Sequence, residues 1–210
     1  MNKYLAYIGY FILICNFIFC IKSFPRNGKA FVFFTAYLGS IVLVAFTSEI
    51  LNLLKYTNLF LSHFYFIFQF IFLSLFYSDL LIDKKQIKVI RLLAILIPII
   101  FIFQYLFYPN LFFKFNLIEV LITSLLIIVY TTFHLYNLLV RQFSYYYICI
   151  GILIYLFGST FLFLFGNYLA SLNSKFSSVI YSLNSLLYIL YQILIFYELN
   201  KNFKNKTDEL

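Results

Sequence analysis

Apolar and polar positions divide the chain into seven long apolar stretches joined by short polar connections, at residues 4–21, 30–54, 59–82, 89–108, 113–140, 145–170 and 176–199. A helix needs roughly 20 residues to cross a hydrocarbon layer of about 30 Å, and each stretch meets that length. In the last one, Ser177, Tyr181, Asn184, Tyr188, Tyr191 and Glu198 recur at helical spacing and form one polar seam on a mostly Leu, Ile, Val and Phe helix. The fifth carries a comparable seam of Asn116, Glu119, Thr123, Tyr130, His134 and Asn137. Helices that are apolar on most sides and polar along one stripe set the stripe against other helices, so the two seams are expected to line a common interior. In the sixth stretch Gly151, Gly158 and Gly166 fall on one face, where they are expected to admit Ser178 and Ser182 of the seventh. The pattern predicts an all-α fold, a single domain of seven transmembrane helices over residues 1–210.

Composition strengthens this picture. Of the 210 residues, 64% are hydrophobic and 10% charged, against about a quarter charged in soluble domains. With no Trp among 20 Tyr and 30 Phe, Tyr must supply the interfacial aromatic belts. The first stretch lacks a small-x-small cleavage site, and its basic residues follow rather than precede it, so it reads as a retained helix.

The net charge of +8 reads as topology rather than as a nucleic-acid surface. Lys3, Lys55, Lys114 and Lys175 fall on one side, whereas Lys22, Arg26, Lys29, Lys84, Lys85, Lys88, Arg91, Arg141, Lys201, Lys204 and Lys206 fall on the other. The positive-inside bias places the second set in the cytoplasm, which puts the N-terminus outside and the C-terminus inside.

Ionisable groups at membrane depth mark candidate sites. Glu49 precedes Lys55 by six residues and Glu119 follows Lys114 by five, so each lies roughly 8 to 9 Å deeper than its lysine. His63, Gln104, Tyr181 and Asn184 reach nearly the same layer from the third, fourth and seventh stretches. The six define an outward-facing polar chamber for a ligand, a cation or a proton. The alternative is that Glu49 and Glu119 simply pair with Lys55 and Lys114, the long lysines reaching up to the headgroups.

Catalytic patterns are missing. There is no H-E-x-x-H, no G-x-S-x-G and no P-loop, and Lys175 and Lys201 lie outside the last stretch, so it offers no retinal-binding lysine. Cys15, Cys20 and Cys149 sit in apolar runs without paired spacing and read as core residues. No cofactor and no metal is expected, and the weight falls against an enzyme.

The segments Thr47-Ser48-Glu49, Asn58 to Phe76, Gly151 to Phe165 and Ser182 to Tyr191 resemble a family of small uncharacterised seven-helix integral membrane proteins of low-GC Gram-negative bacteria. That family often has Glu on its third helix, where this chain has Gln69, and Asn on its seventh, matched by Asn184. The resemblance implies a multi-pass protein of the bacterial inner membrane. Association of related segments with sensor kinases further implies a sensory role. The leading reading is a sensory or accessory membrane module, embedded in the lipid bilayer, with a membrane or cytoplasmic signalling partner. A proton- or cation-coupled small-solute transporter is the alternative, and a lipid-modifying membrane enzyme the third reading.

Overall fold

The computed structural model describes the backbone of residues 2–23, 28–140, 145–172 and 174–207. Side chains are described over 4–23, 28–139, 145–166 and 178–201. Ser177 of the last seam lies outside the described side chains, as do Lys3, Arg26, Arg141, Lys175, Lys204 and Lys206 of the charge bias.

The described chain is helical. Its elements are α1 (Asn2–Ser23), α2 (Lys29–Leu53), α3 (Leu61–Leu80), α4 (Lys84–Phe107), the single-turn α5 (Pro109–Phe112), α6 (Leu117–Val140), α7 (Tyr146–Leu172) and α8 (Ser174–Thr207). All but α5 are long and apolar enough to cross a membrane by length and composition, which makes seven among the described residues. Large apolar side chains point outward, Phe46 at 67% exposure and Leu139 at 84% among them. In water such surfaces would drive aggregation; in lipid they need no cover.

The backbone groups into two compact units, one of residues 23–130 and one of residues 1–22 with 131–210. In the first, α2 lies against α3 and α3 against α4. Its core is aromatic: Phe34 and Phe76 are fully buried with ring centroids 5.4 Å apart, and Tyr37, Phe70 and Tyr77 are buried too. The second unit is built on the α7–α8 pair. Its glycines receive large side chains from α8, because Tyr191 and Leu194 stand over Gly151, Leu187 over Gly158 and Ile180 over Gly166. The sequence reading had Ser178 and Ser182 there instead. A glycine stripe forms a row of hollows, and a bulky apolar side chain fills a hollow with more dispersion contact than a serine can. On α1, Asn16 donates from Nδ2 to the backbone carbonyl and to Oε1 of Gln192 on α8, both at 2.9 Å.

One capping device occurs in both units. The N-terminus of α2 has no side-chain cap of its own at Gly28, yet the Ala30 amide donates to Asp79 Oδ2 at 2.9 Å, from near the end of α3. At the start of α7, the Tyr147 amide donates to Glu198 Oε2 at 2.8 Å and the Tyr145 amide to Glu198 Oε1 at 3.1 Å. In each case a carboxylate borne by the following long helix takes up amides that the first turn leaves unpaired.

The α2–α3 connection closes with the hydrogen-bond pattern of a Schellman motif. The Tyr56 amide reaches the Leu51 carbonyl at 2.9 Å and the Lys55 amide the Asn52 carbonyl at 3.1 Å. Lys55 holds the left-handed position, φ 61°, that usually belongs to glycine. Asn58 then ties the connection back to α2 by donating to Ser48 Oγ at 2.8 Å.

Candidate functional site

Three chain breaks converge in the unit of residues 23–130. His63 is the third residue of α3 and Glu119 the third of α6, while Tyr105 lies just before the end of α4. Between α4 and α6, Pro109 starts the short α5, which suits proline because the first helical position has no intrahelical use for an N–H. This turn brings the Phe112 carbonyl and ring back onto His63. Asn116 precedes α6 and its Oδ1 accepts the Glu119 amide at 3.3 Å, as an N-cap does. The Glu119 carboxylate occupies the position from which a capping-box glutamate would turn back to the chain, and it points to His63 instead.

His63 Nδ1 stands 2.5 Å from Glu119 Oε2, with the two side chains 2% and 0% exposed. Tyr105 donates its hydroxyl hydrogen to the same carboxylate oxygen at 2.5 Å, lies 2.9 Å from His63 Nδ1, and accepts from Asn116 Nδ2 at 3.1 Å. On the other side of the ring, His63 Nε2 is 3.1 Å from the Phe112 carbonyl. The Phe112 ring stacks on the imidazole at 5.4 Å, and the Tyr105 ring lies at 4.6 Å. These rings keep water from the imidazole faces.

The donor and acceptor inventory fixes the proton count. A carbonyl only accepts, so His63 Nε2 carries hydrogen. The single Tyr105 hydroxyl hydrogen is committed to Glu119, which leaves its oxygen an acceptor. One proton must then lie between His63 Nδ1 and Glu119 Oε2, whether on the nitrogen or on the oxygen; without it, a lone pair would face a carboxylate oxygen at 2.5 Å. The second oxygen, Glu119 Oε1, is buried and has no hydrogen-bond partner. It is the one acceptor of the cluster left open to something else.

Of the six residues the sequence marked, the structure joins two, His63 and Glu119. Glu49 is half-buried and forms no side-chain hydrogen bond or ion pair among the described residues. Gln104 is half-buried and its side chain makes no hydrogen bond among the described residues, whereas its neighbour Tyr105 enters the cluster. Tyr181 and Asn184 belong to the other unit. There Tyr181 is 63% exposed, and Asn184 is half-buried with a buried, unpartnered Oδ1. The simple pairing with lysines is not formed either, since no ion pair joins Glu49 to Lys55 or Glu119 to Lys114 among the described residues. Tyr105, Phe112 and Asn116 were not singled out beforehand as site residues. Pro109 and the N-cap spacing of Asn116 to Glu119 were the signals for the last two. Among the described residues no three His, Cys, Asp or Glu side chains are grouped as a metal site.

No protein-family model, curated protein or solved structure matches the chain.

Proposed function

We propose that the chain is a multi-pass protein of a bacterial inner membrane, N-terminus outside and C-terminus in the cytoplasm, and that it works as a sensory or accessory module. Its responsive element is the His63–Glu119–Tyr105 cluster near the outer end of α3 and α6. The observation that carries this reading is the buried His63–Glu119 contact with its open acceptor, Glu119 Oε1. Ionisable side chains at such depth are costly and persist where a function requires them. The pair ties α3 to α6. A cation or a ligand N–H at Oε1 draws on the same carboxylate and favours opening of the contact. A membrane or cytoplasmic signalling partner would read the change.

Purification of tagged wild-type and Glu119→Gln protein from the native host, compared by quantitative mass spectrometry, tests the reading. A partner retained by one form and depleted at least fivefold in the other supports it. Equal recovery of every co-purifying protein removes it.

A second reading, a proton-coupled transporter, draws on Gln69, Ser74 and Tyr130, which continue buried polarity along α3 and α6 beyond the cluster. Solute-driven proton uptake into proteoliposomes that disappears in Glu119→Gln would select it over the sensory module.

A further inference from the structure

The first eight residues of α4, from Lys84 to Arg91, carry four cations and no carboxylate. Lys84, Lys85, Lys88 and Arg91 are all exposed. Lys84, Lys88 and Arg91 recur at steps of four and three, which sets them within about 60° of one another on a single face, with Lys85 at its edge. Like charges at this spacing repel. No ion pair relieves them among the described residues. The two acids near this end serve backbone amides instead, since Asp83 Oδ1 accepts the Lys85 amide at 2.8 Å and Asp79 Oδ2 the Ala30 amide at 2.9 Å.

Below Arg91 the same face turns wholly apolar. From Leu92 to Phe103 no side chain is polar. Ile95, Ile99 and Ile102 carry the stripe of Lys84, Lys88 and Arg91 onward, flanked by Leu92 and Leu96, and all five are exposed. From Leu92 to Ile102 the helix rises about 15 Å, half of a hydrocarbon layer of about 30 Å. The stripe therefore has the length of one lipid leaflet, and its cations stand where the headgroups begin.

Arg91 is the fixed member of this rim. Its Nε donates to Ser78 Oγ on α3 at 3.4 Å, and the hydroxyl of the buried Ser78 in turn donates to the Leu75 carbonyl at 2.9 Å. The other four N–H groups of the guanidinium make no hydrogen bond among the described residues, and their fork matches the oxygens of a phosphate. We propose that this face of α4 docks an anionic phospholipid, with its phosphate on Arg91 and the lysines and an acyl chain along Leu92, Ile95 and Ile99. Charge complementarity selects the headgroup, and the apolar stripe selects a lipid over a soluble anion. Positive charge that only oriented the chain would need neither a tethered guanidinium nor an exposed stripe aligned beneath it. The inference goes beyond the sensory reading, because it needs α4 across a membrane and nothing of the His63 cluster.

Native mass spectrometry of the full chain, released from detergent and titrated with dioleoyl phosphatidylglycerol or dioleoyl phosphatidylcholine, tests the site. With each cation near an anionic surface worth roughly fivefold, the first phosphatidylglycerol is expected to bind at least about tenfold tighter than the first phosphatidylcholine. Lys84→Gln with Lys85→Gln and Lys88→Gln is expected to abolish that preference. Arg91→Lys, which keeps the charge and loses the fork, is expected to weaken it at least about twofold. Arginine at the three lysine positions keeps the charge, guards against misfolding and should retain binding. Lys22→Gln with Lys201→Gln and Lys204→Gln removes as much charge elsewhere and should leave the preference intact. Equal affinity for the two lipids, or equal loss in the two triple glutamine variants, overturns the proposal. Displacement of the lipid by inorganic phosphate at the same concentration would give the face to a soluble anion, and a lipid-free dimer lost in the first triple variant would give it to a second copy of the chain; either result overturns the proposal as well.

Discussion

His63 and Glu119 occupy the same position, the third, of two different helices, and their side chains meet at 2.5 Å without exposure to solvent. Each side chain leaves its helix within the first turn, so the meeting point is set by where α3 and α6 begin. Shifting either start by one residue rotates its side chain by about 100° and breaks the contact.

Removing one partner should be much worse than removing both. Glu119→Ala or His63→Ala leaves a buried ionisable group with Tyr105 as its remaining side-chain partner and is expected to cost up to about 3–5 kcal/mol. The double variant His63→Leu with Glu119→Leu is expected to recover most of that loss. Thermal unfolding in detergent, taken as a double-mutant cycle, measures the difference; additive losses would deny the pair its coupling.

Tyr105→Phe deletes the hydroxyl that Glu119 and Asn116 share while keeping the ring over His63. The expected loss is about 1.5–3 kcal/mol, the range for a hydrogen bond to a charged partner. Gln104→Leu, one residue away, is expected to change stability by less than about 0.5 kcal/mol. Equal effects of the two would show that the cluster does not depend on Tyr105.

The contrast between those neighbours shows what could be read in advance. Seven helices were legible because length and hydropathy set them almost alone. Counting along the helices was informative too, since rise per residue is constant, and it set His63 and Glu119 at one level, where the structure joins them. Direction around the helix was not: Gln104 and Tyr105 share a level but point about 100° apart, and only the placement of α3 and α6 decides which one faces the cluster. Glu49, placed at the same level by the same counting, has no side-chain partner among the described residues. The return of α5, which delivers the Phe112 carbonyl, depends on tertiary packing that no spacing rule contains.

Lys55 carries a positive φ at the end of α2, where a side chain with a Cβ is disfavoured by roughly 1–2 kcal/mol. Lys55→Gly is expected to stabilise the chain by about 0.5–1 kcal/mol, read as a higher midpoint in thermal unfolding. An unchanged or lower midpoint would mean that the lysine makes up for its backbone elsewhere.

A Cβ at Gly158 would lie 2.7 Å from Leu187 Cδ1, and one at Gly151 2.9 Å from the Tyr191 ring. Gly158→Ala is expected to cost less than about 1 kcal/mol, since the tip of Leu187 can turn aside, and Gly151→Ala, against the Tyr191 ring and Leu194 Cβ, about 1–3 kcal/mol through overpacking. Leu187→Ala should relieve the first and leave the second unchanged, and a melting series of single and paired variants distinguishes them.

The crossed caps also constrain the order in which the chain can be completed. The Ala30 amide waits for Asp79, 49 residues later, and the Tyr147 amide waits for Glu198, 51 residues later. While the chain is emerging from the ribosome, α2 and α7 therefore begin with frayed first turns, and each is sealed only when the far end of the next long helix has been made. The smallest stretch that can be finished at synthesis is a pair of helices, and a nascent chain arrested between the members of a pair holds a helix whose start is still open.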